Sequence, residues 1–167
     1  GKHGLTVMCD YLRDHCISRV LLPAYLCLTI VDTFGSCGFS CDYYSISPSF
    51  VIDIADLEQK LCDSQAVYFI NYFGFSASPA ILKTFSDLRD AGKIVIEDNA
   101  QAGFLTHTTG DFAFNSMRKL CPFDGGYLKT SHEITPYLAA YKDRENHRLP
   151  LIRQYRKEHN IKDWELK

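Results

Sequence analysis

From residue 3 to about residue 97, short apolar runs alternate with stretches of helical spacing. This rhythm limits the fold more than any other feature of the chain. Apolar residues at 5, 8, 9, 12 and 16 recur at helical spacing, so residues 5–16 are expected to form a helix. Val20, Leu21, Leu22 and Pro23 make a short apolar run closed by proline, which is strand-like. A helix is expected over 26–34, where Gly35 and Gly38 can end it. Residues 39–45 are aromatic-rich and strand-like, and 53–61 open on an acid and repeat helically. Residues 66–71 form a strand. Ser78-Pro79 opens a helix to about residue 90, with proline in its first turn, and 93–97 form another strand. Near-continuous apolar strands alternating with helices predict a mostly parallel sheet covered on both faces, a three-layer α/β/α fold.

Beyond residue 97 the rhythm changes. Short strands are expected over 104–107, 111–114 and 126–130, and a polar helical stretch over 134–164. The expected organisation is one domain over 1–131, followed by a helical tail over 132–167.

With 167 residues, 46% of them apolar and 23% charged, the chain suits one soluble globular domain. A net charge of −2 provides no global case for nucleic acid or an anionic membrane as partner. No apolar run approaches a membrane span, and no charged-then-apolar leader opens the chain. The seven cysteines are odd in number and include no C-x-x-C pair, so thiols in a reducing cytoplasm are expected. Cys37 and Cys41 lack a matching Cys/His pair at zinc spacing, and His107 and His132 stand alone, so no metal site is expected. The aromatic run at 68, 69, 72, 73 and 75 has no interleaved basic residues and reads as core and crevice wall rather than a stacking platform for nucleic acid.

In open α/β sheets, ligands bind beyond the carboxyl ends of the strands. Asn71, Asp98 and the Pro23-Ala24-Tyr25 turn all lie just past expected strand ends, so they could converge on one crevice. Asp98 has rival readings. With Gln101 at i+3 it could open a capping box, it could bind magnesium, or it could face a positive group. Glu97, one residue earlier on the strand, should face the other way. Lys119, 21 residues after Asp98, is either a solvated surface charge or an amine held among apolar neighbours. Phe112-Ala113-Phe114 and Leu120-Cys121-Pro122-Phe123 flank it and favour the second reading, because an apolar pocket makes the neutral, nucleophilic amine available. There is neither a G-x-x-x-x-G-K-[ST] loop nor a G-x-G-x-x-G turn for a nucleotide.

Five ordered segments resemble fold type I pyridoxal phosphate enzymes, specifically the DegT/DnrJ/StrS sugar aminotransferases. They are Gly1-Lys2-His3-Gly4-Leu5, Val20 to Cys27 with its Pro23-Ala24-Tyr25 core, Asn71-Tyr72-Phe73-Gly74, Glu97-Asp98-Asn99-Ala100-Gln101-Ala102, and Ser116-Met117-Arg118-Lys119 with Asp124-Gly125-Gly126. The resemblance covers residues 1 to about 131 and implies the large domain of such an enzyme. It implies pyridoxal 5'-phosphate as cofactor, Lys119 as the Schiff-base lysine and proton carrier, and Asp98 as partner of the pyridinium nitrogen, so that the ring can act as an electron sink. Gln101 would contact the ring hydroxyl. Ser116 and the backbone around Gly1, Lys2 and His3 would bind the phosphate at a helix N-terminus, where the dipole favours anions. The position of Cys27 usually stacks an aromatic on the ring. A thiol stacks less well, so Tyr25 is the substitute candidate. Asn71 would lie near the ring.

The implied reaction moves an amino group from an amino acid such as glutamate to a nucleotide-linked keto-sugar, in a cytoplasmic homodimer. The alternatives are other chemistry with the same cofactor (lyase, dehydratase or racemase) and a non-catalytic subunit of the same fold. Family members are longer, so a fragment is expected, lacking the strand that leads into Gly1 and the carboxyl-terminal small domain.

Overall fold

The computed structural model describes residues 1–105, 107–117 and 125–159. In chain order the elements are α1 (Lys2–Asp14), β1 (Arg19–Pro23), α2 (Leu28–Ser36), β2 (Ser40–Tyr44), α3 (Ile54–Leu61), β3 (Ala66–Ile70), a 3₁₀ turn (Tyr72–Gly74), α4 (Pro79–Asp90), β4 (Ile94–Asp98), β5 (Phe112–Phe114), β6 (Leu128–Thr130) and α5 (Thr135–Glu158). They divide into two compact units, Gly1–Glu133 and Ile134–Lys167.

The first unit is built on a six-stranded sheet of order β2-β1-β3-β4-β5-β6. Strands β1 to β5 run parallel, and β6 pairs antiparallel with β5 at one edge. Every residue of β3 is buried, whereas edge strand β2 buries only Tyr44. Helix starts follow local chemistry. The Asp53 carboxylate accepts from Asp56 N at 3.1 Å to open α3. Ser78 caps α4, and Pro79 occupies its first turn.

Alternation along the strands assigns side chains to two faces. One face carries Leu21, Val67, Phe69 and Val95 in a core with Leu57 and Leu61 of α3 and Phe85 of α4. Phe69 stacks on Phe85 with ring centroids 4.2 Å apart. The other face carries Leu22, Tyr68, Ile96, Phe112 and Phe114, all buried. There Phe34 of α2 meets Tyr68 edge-on at 6.1 Å, and Tyr11 of α1 meets Phe112 at 5.3 Å. The expected α/β/α layering with a mostly parallel sheet is therefore present.

One expected strand is not formed. Phe104, Leu105 and His107 lie outside any strand; Leu105 N–H instead donates to Ala102 O in a turn, and Phe104 is exposed. A strand needs a lateral partner, and both sides of β4 are already taken by β3 and β5. The strand expected over 126–130 shortens to β6, because residues 125–127 close a tight loop base. Met117 N–H donates to Gly125 O, and Tyr127 N–H donates to Asn115 Oδ1. Gly126 is required there: a Cβ would lie 2.4 Å from Asn115 O.

In the second unit, α5 runs through Pro150, with Glu145 and Arg148 paired at 3.2 Å on its surface. It ends at Glu158; residues 160–164 of the expected helix lie outside the described residues.

Phe85→Ala should remove the stacked partner of Phe69 and lower the unfolding free energy by about 3–5 kcal/mol, as read by urea denaturation.

Candidate active site

The strand order reverses direction between β1 and β3, so the connections after these two strands leave on opposite sides and open a crevice at their carboxyl ends. The segments after β1, β3, β4 and β5 line this end of the sheet. Hydrogen bonds fasten them together: Asn71 N–H donates to Asp98 O at 3.1 Å, and Asn99 N–H donates to Phe114 O at 2.7 Å.

β4 ends in two consecutive acids, both buried. Strand geometry sends them to opposite faces. Glu97 works on the α3/α4 side. Its Oε1 accepts from the Nδ2 atoms of Asn71 and Asn99, each at 3.0 Å, and its Oε2 accepts from Thr109 N at 2.6 Å and Gly110 N at 3.0 Å. Four donors from three segments satisfy this buried carboxylate. A Cβ on Gly110 would fall 2.9 Å from Glu97 Cβ, so only glycine lets the 107–111 segment come this close.

Asp98 works on the α1/α2 side. Its Oδ2 accepts from the Tyr68 hydroxyl at 2.6 Å, and its Oδ1 accepts from Ala100 N at 2.7 Å. The bond to Ala100 is a turn contact at i+2, and no helix follows among residues 99–105, so the capping-box reading of Asp98 and Gln101 fails. Burial, and then the Asp98 charge and hydrogen bond, push the Tyr68 phenol well above its ordinary range. Burial, followed by the charge of Asp98, also raises Tyr72. Both remain protonated at neutral pH.

Gln101 reaches back across the crevice, its Oε1 accepting from Phe73 N at 2.9 Å. Asn71 is buried, with its amide engaged by Glu97, Asn99 and Ala77 N. It thus ties the ends of β3 and β4 to the loop that leads into α4. The Tyr72 hydroxyl donates to Tyr25 O. Tyr25 is 57% exposed and packs edge-on against Phe50 at 5.2 Å, while Cys27 is exposed at the start of α2. Phe50 and Phe73 both take left-handed backbone, φ 61° and 57°, and meet edge-on at 4.7 Å. Left-handed backbone costs a non-glycine residue roughly 1–2 kcal/mol, so this turn is held against strain by its hydrogen bonds and ring contacts.

The last component lies beyond β5. Phe114 pairs with Asp98 in register, and Ser116 follows two residues later. α1 starts at Gly1 without a side-chain cap, and a Cβ on Gly1 would sit 3.5 Å from Ser116 Cβ and 3.7 Å from Ser116 Oγ. The start of α1 and the Ser116 hydroxyl therefore form one polar lip on the same face as Asp98. Lys2 and His3 are exposed in the first turn. Lys119 lies outside the described residues, as does Cys121. Met117, two residues before Lys119, is described and is bonded to Gly125.

The structure thus gathers Gly1, Ser116, Asp98, Gln101, Asn71 and Tyr25 at one end of the sheet. Sequence reasoning missed Glu97 and Tyr68. A tyrosine within an otherwise apolar strand was the available signal, since a buried phenol needs a partner.

No family model matches the chain, and no curated protein matches it. Solved structures match throughout the fold. A sugar aminotransferase from Micromonospora echinospora aligns with TM-score 0.67 and 19% identity over 87% of this chain and 43% of its own. A DegT DnrJ EryC1 StrS aminotransferase from Brucella abortus aligns with TM-score 0.62 and 17% identity over 83% and 42%. A GDP-4-keto-6-deoxymannose-3-dehydratase with bound GDP-perosamine aligns with TM-score 0.67 and 19% identity over 80% and 38%. The chain shares its fold with part of each of these proteins and spans less than half the length of each.

Glu97→Ala should strand two backbone N–H groups and two amides. It is expected to cost about 3 kcal/mol of stability and to accelerate hydrogen exchange at Thr109 and Gly110.

Proposed function

We propose that this chain is the cofactor-binding part of a pyridoxal 5'-phosphate-dependent aminotransferase acting on a nucleotide-linked keto-sugar. The observation that carries the reading is the buried Asp98 carboxylate at the end of β4, on the same face as the lip made by Gly1 and Ser116. The residues fit the group. A helix start beside a hydroxyl suits a phosphate, and a buried carboxylate that accepts from the Tyr68 hydroxyl and Ala100 N–H suits a protonated ring nitrogen. The likeness in fold to proteins named as sugar aminotransferases supports the same reading.

When bound, pyridoxal phosphate supplies an electron sink for charge developing at the substrate α-carbon. In this reading Asp98 holds the proton on the ring nitrogen. Ser116 Oγ and the first N–H groups of α1 bind the phosphate, and the helix dipole adds a favourable field. Lys119 provides the amine that attaches the cofactor and moves the proton at the substrate α-carbon. Gln101 orients the ring hydroxyl, and Asn71 keeps the ends of β3 and β4 together. Tyr25, two residues before Cys27 and exposed, is the aromatic proposed to cover the ring in its place. A homodimer supplies the rest of the crevice, and the cytoplasm is the expected location. Among the described residues, no helix is long and apolar enough to cross a membrane. The fold match to a keto-sugar dehydratase favours a second reading, dehydration at the same site, and product analysis with glutamate and a keto-sugar separates the two.

The purified wild-type protein should retain pyridoxal phosphate, visible by its absorption, and borohydride should fix it covalently. Lys119→Ala should abolish the fixed product, and Ser116→Ala should weaken cofactor binding roughly tenfold, the size of a hydrogen bond to a charged group. Wild-type protein that takes up no cofactor would refute the proposal.

A further inference from the structure

Asp98 is held by an unusual partner for a strand-end carboxylate: the hydroxyl of a completely buried tyrosine on the neighbouring strand. Ile70 of β3 pairs with Asp98 in register, so Tyr68, two residues earlier, projects from the same face and reaches forward along the strand. Its ring is wedged between Phe34 of α2 and Phe114 of β5, at 6.1 Å from each. Its own carbonyl accepts from the Tyr44 hydroxyl at 2.9 Å. The phenol therefore has a fixed position and a fixed direction. A neutral phenol facing a carboxylate at 2.6 Å donates its proton, and such a bond favours the ionised acid.

We infer that Tyr68 is a positioning residue for the cofactor: its hydroxyl keeps the Asp98 carboxylate ionised and fixed in orientation, ready to pair with the protonated ring nitrogen. This rests on the cofactor reading above. Two donors, Tyr68 O–H on Oδ2 and Ala100 N–H on Oδ1, fix the carboxylate plane. Burial alone would favour the neutral acid, which cannot pair with a pyridinium. The Tyr68 bond opposes that tendency. Among the described residues, the other titratable groups acting on Tyr68 are Tyr44 of β2 and Tyr72 of the 3₁₀ turn, both phenols raised by burial and so uncharged at neutral pH. Against the pair, α2 presents apolar Phe34 and β5 presents apolar Phe114. Glu97 faces the opposite side of the sheet, and Lys119 lies outside the described residues.

Deleting the hydroxyl removes a stabiliser of the ionised form, so Asp98 takes up a proton at higher pH. Cofactor binding, which needs the ionised form, should then fail earlier on acidification. The test is the dissociation constant of pyridoxal phosphate from the intact protein, measured by equilibrium dialysis from acid to neutral pH. Wild type, Tyr68→Phe, Asp98→Asn and the double variant are compared, with melting curves confirming that each is folded. Tyr68→Phe should bind about tenfold more weakly at neutral pH, and the acid limb of its affinity profile should move up. In the Asp98→Asn background the same substitution should shift no limb, because the two changes act through one group. A purely structural role would lower the melting temperature without moving the limb, and that result overturns the inference. Equal affinity of wild type and Tyr68→Phe at every pH overturns it as well. Wild type without any cofactor binding refutes instead the cofactor reading on which it stands.

Discussion

Two carboxylates buried side by side at the end of one strand set the terms for everything around them. A buried acid is tolerated only when hydrogen-bond donors replace water, and β4 delivers two acids into the interior within two residues. Strand alternation separates them. Glu97 collects donors from Asn71, Asn99, Thr109 and Gly110, and so knits the loop after β3 and both ends of the β4–β5 connection into one platform. Asp98 lies on the opposite face, where the Tyr68 hydroxyl and the Ala100 N–H donate to it. The first acid makes the platform rigid, and the second is presented by it.

That division explains why the crevice can be built from loops and still be well defined. Gln101 and Asn71 both hold the strained turn at Tyr72–Gly74, one through Phe73 N and the other through Ala77 N. The aromatic group of Tyr25, Phe50, Tyr72 and Phe73 packs over the same turn. A left-handed phenylalanine backbone persists only where neighbours over-determine it, and here side-chain hydrogen bonds and ring contacts do so together. On the far side of Asp98, the start of α1 lies beside Ser116, where a Cβ on Gly1 would sit at ordinary contact distance from the serine side chain.

Much of the layering could be read directly from residue patterns. Apolar runs such as Val20-Leu21-Leu22 and Ala66 to Ile70 became buried strands, and Asp53 and Ser78 capped helices as their side chains allow. The weaker expectations were those that depend on lateral pairing. Residues 104–107 look like a strand locally but have no free edge to join, whereas Phe112–Phe114, equally short, does. Glu97 looked inert in the sequence because alternation only says that it faces away from Asp98. Its four donors come from residues 2 to 26 positions distant, and only folding brings them together.

The sequence by itself determined the α/β rhythm, the helix starts and the placing of an acid at a strand end, because these follow from periodicity and from side chains acting on their own backbone. Tertiary structure alone decided the strand order, the antiparallel edge at β6, the meeting of Gly1 with Ser116, and the pairing of Tyr68 with Asp98. Each of these depends on the register and face at which distant segments meet. A residue's neighbours in the chain do not specify that register; the packing of the whole sheet does.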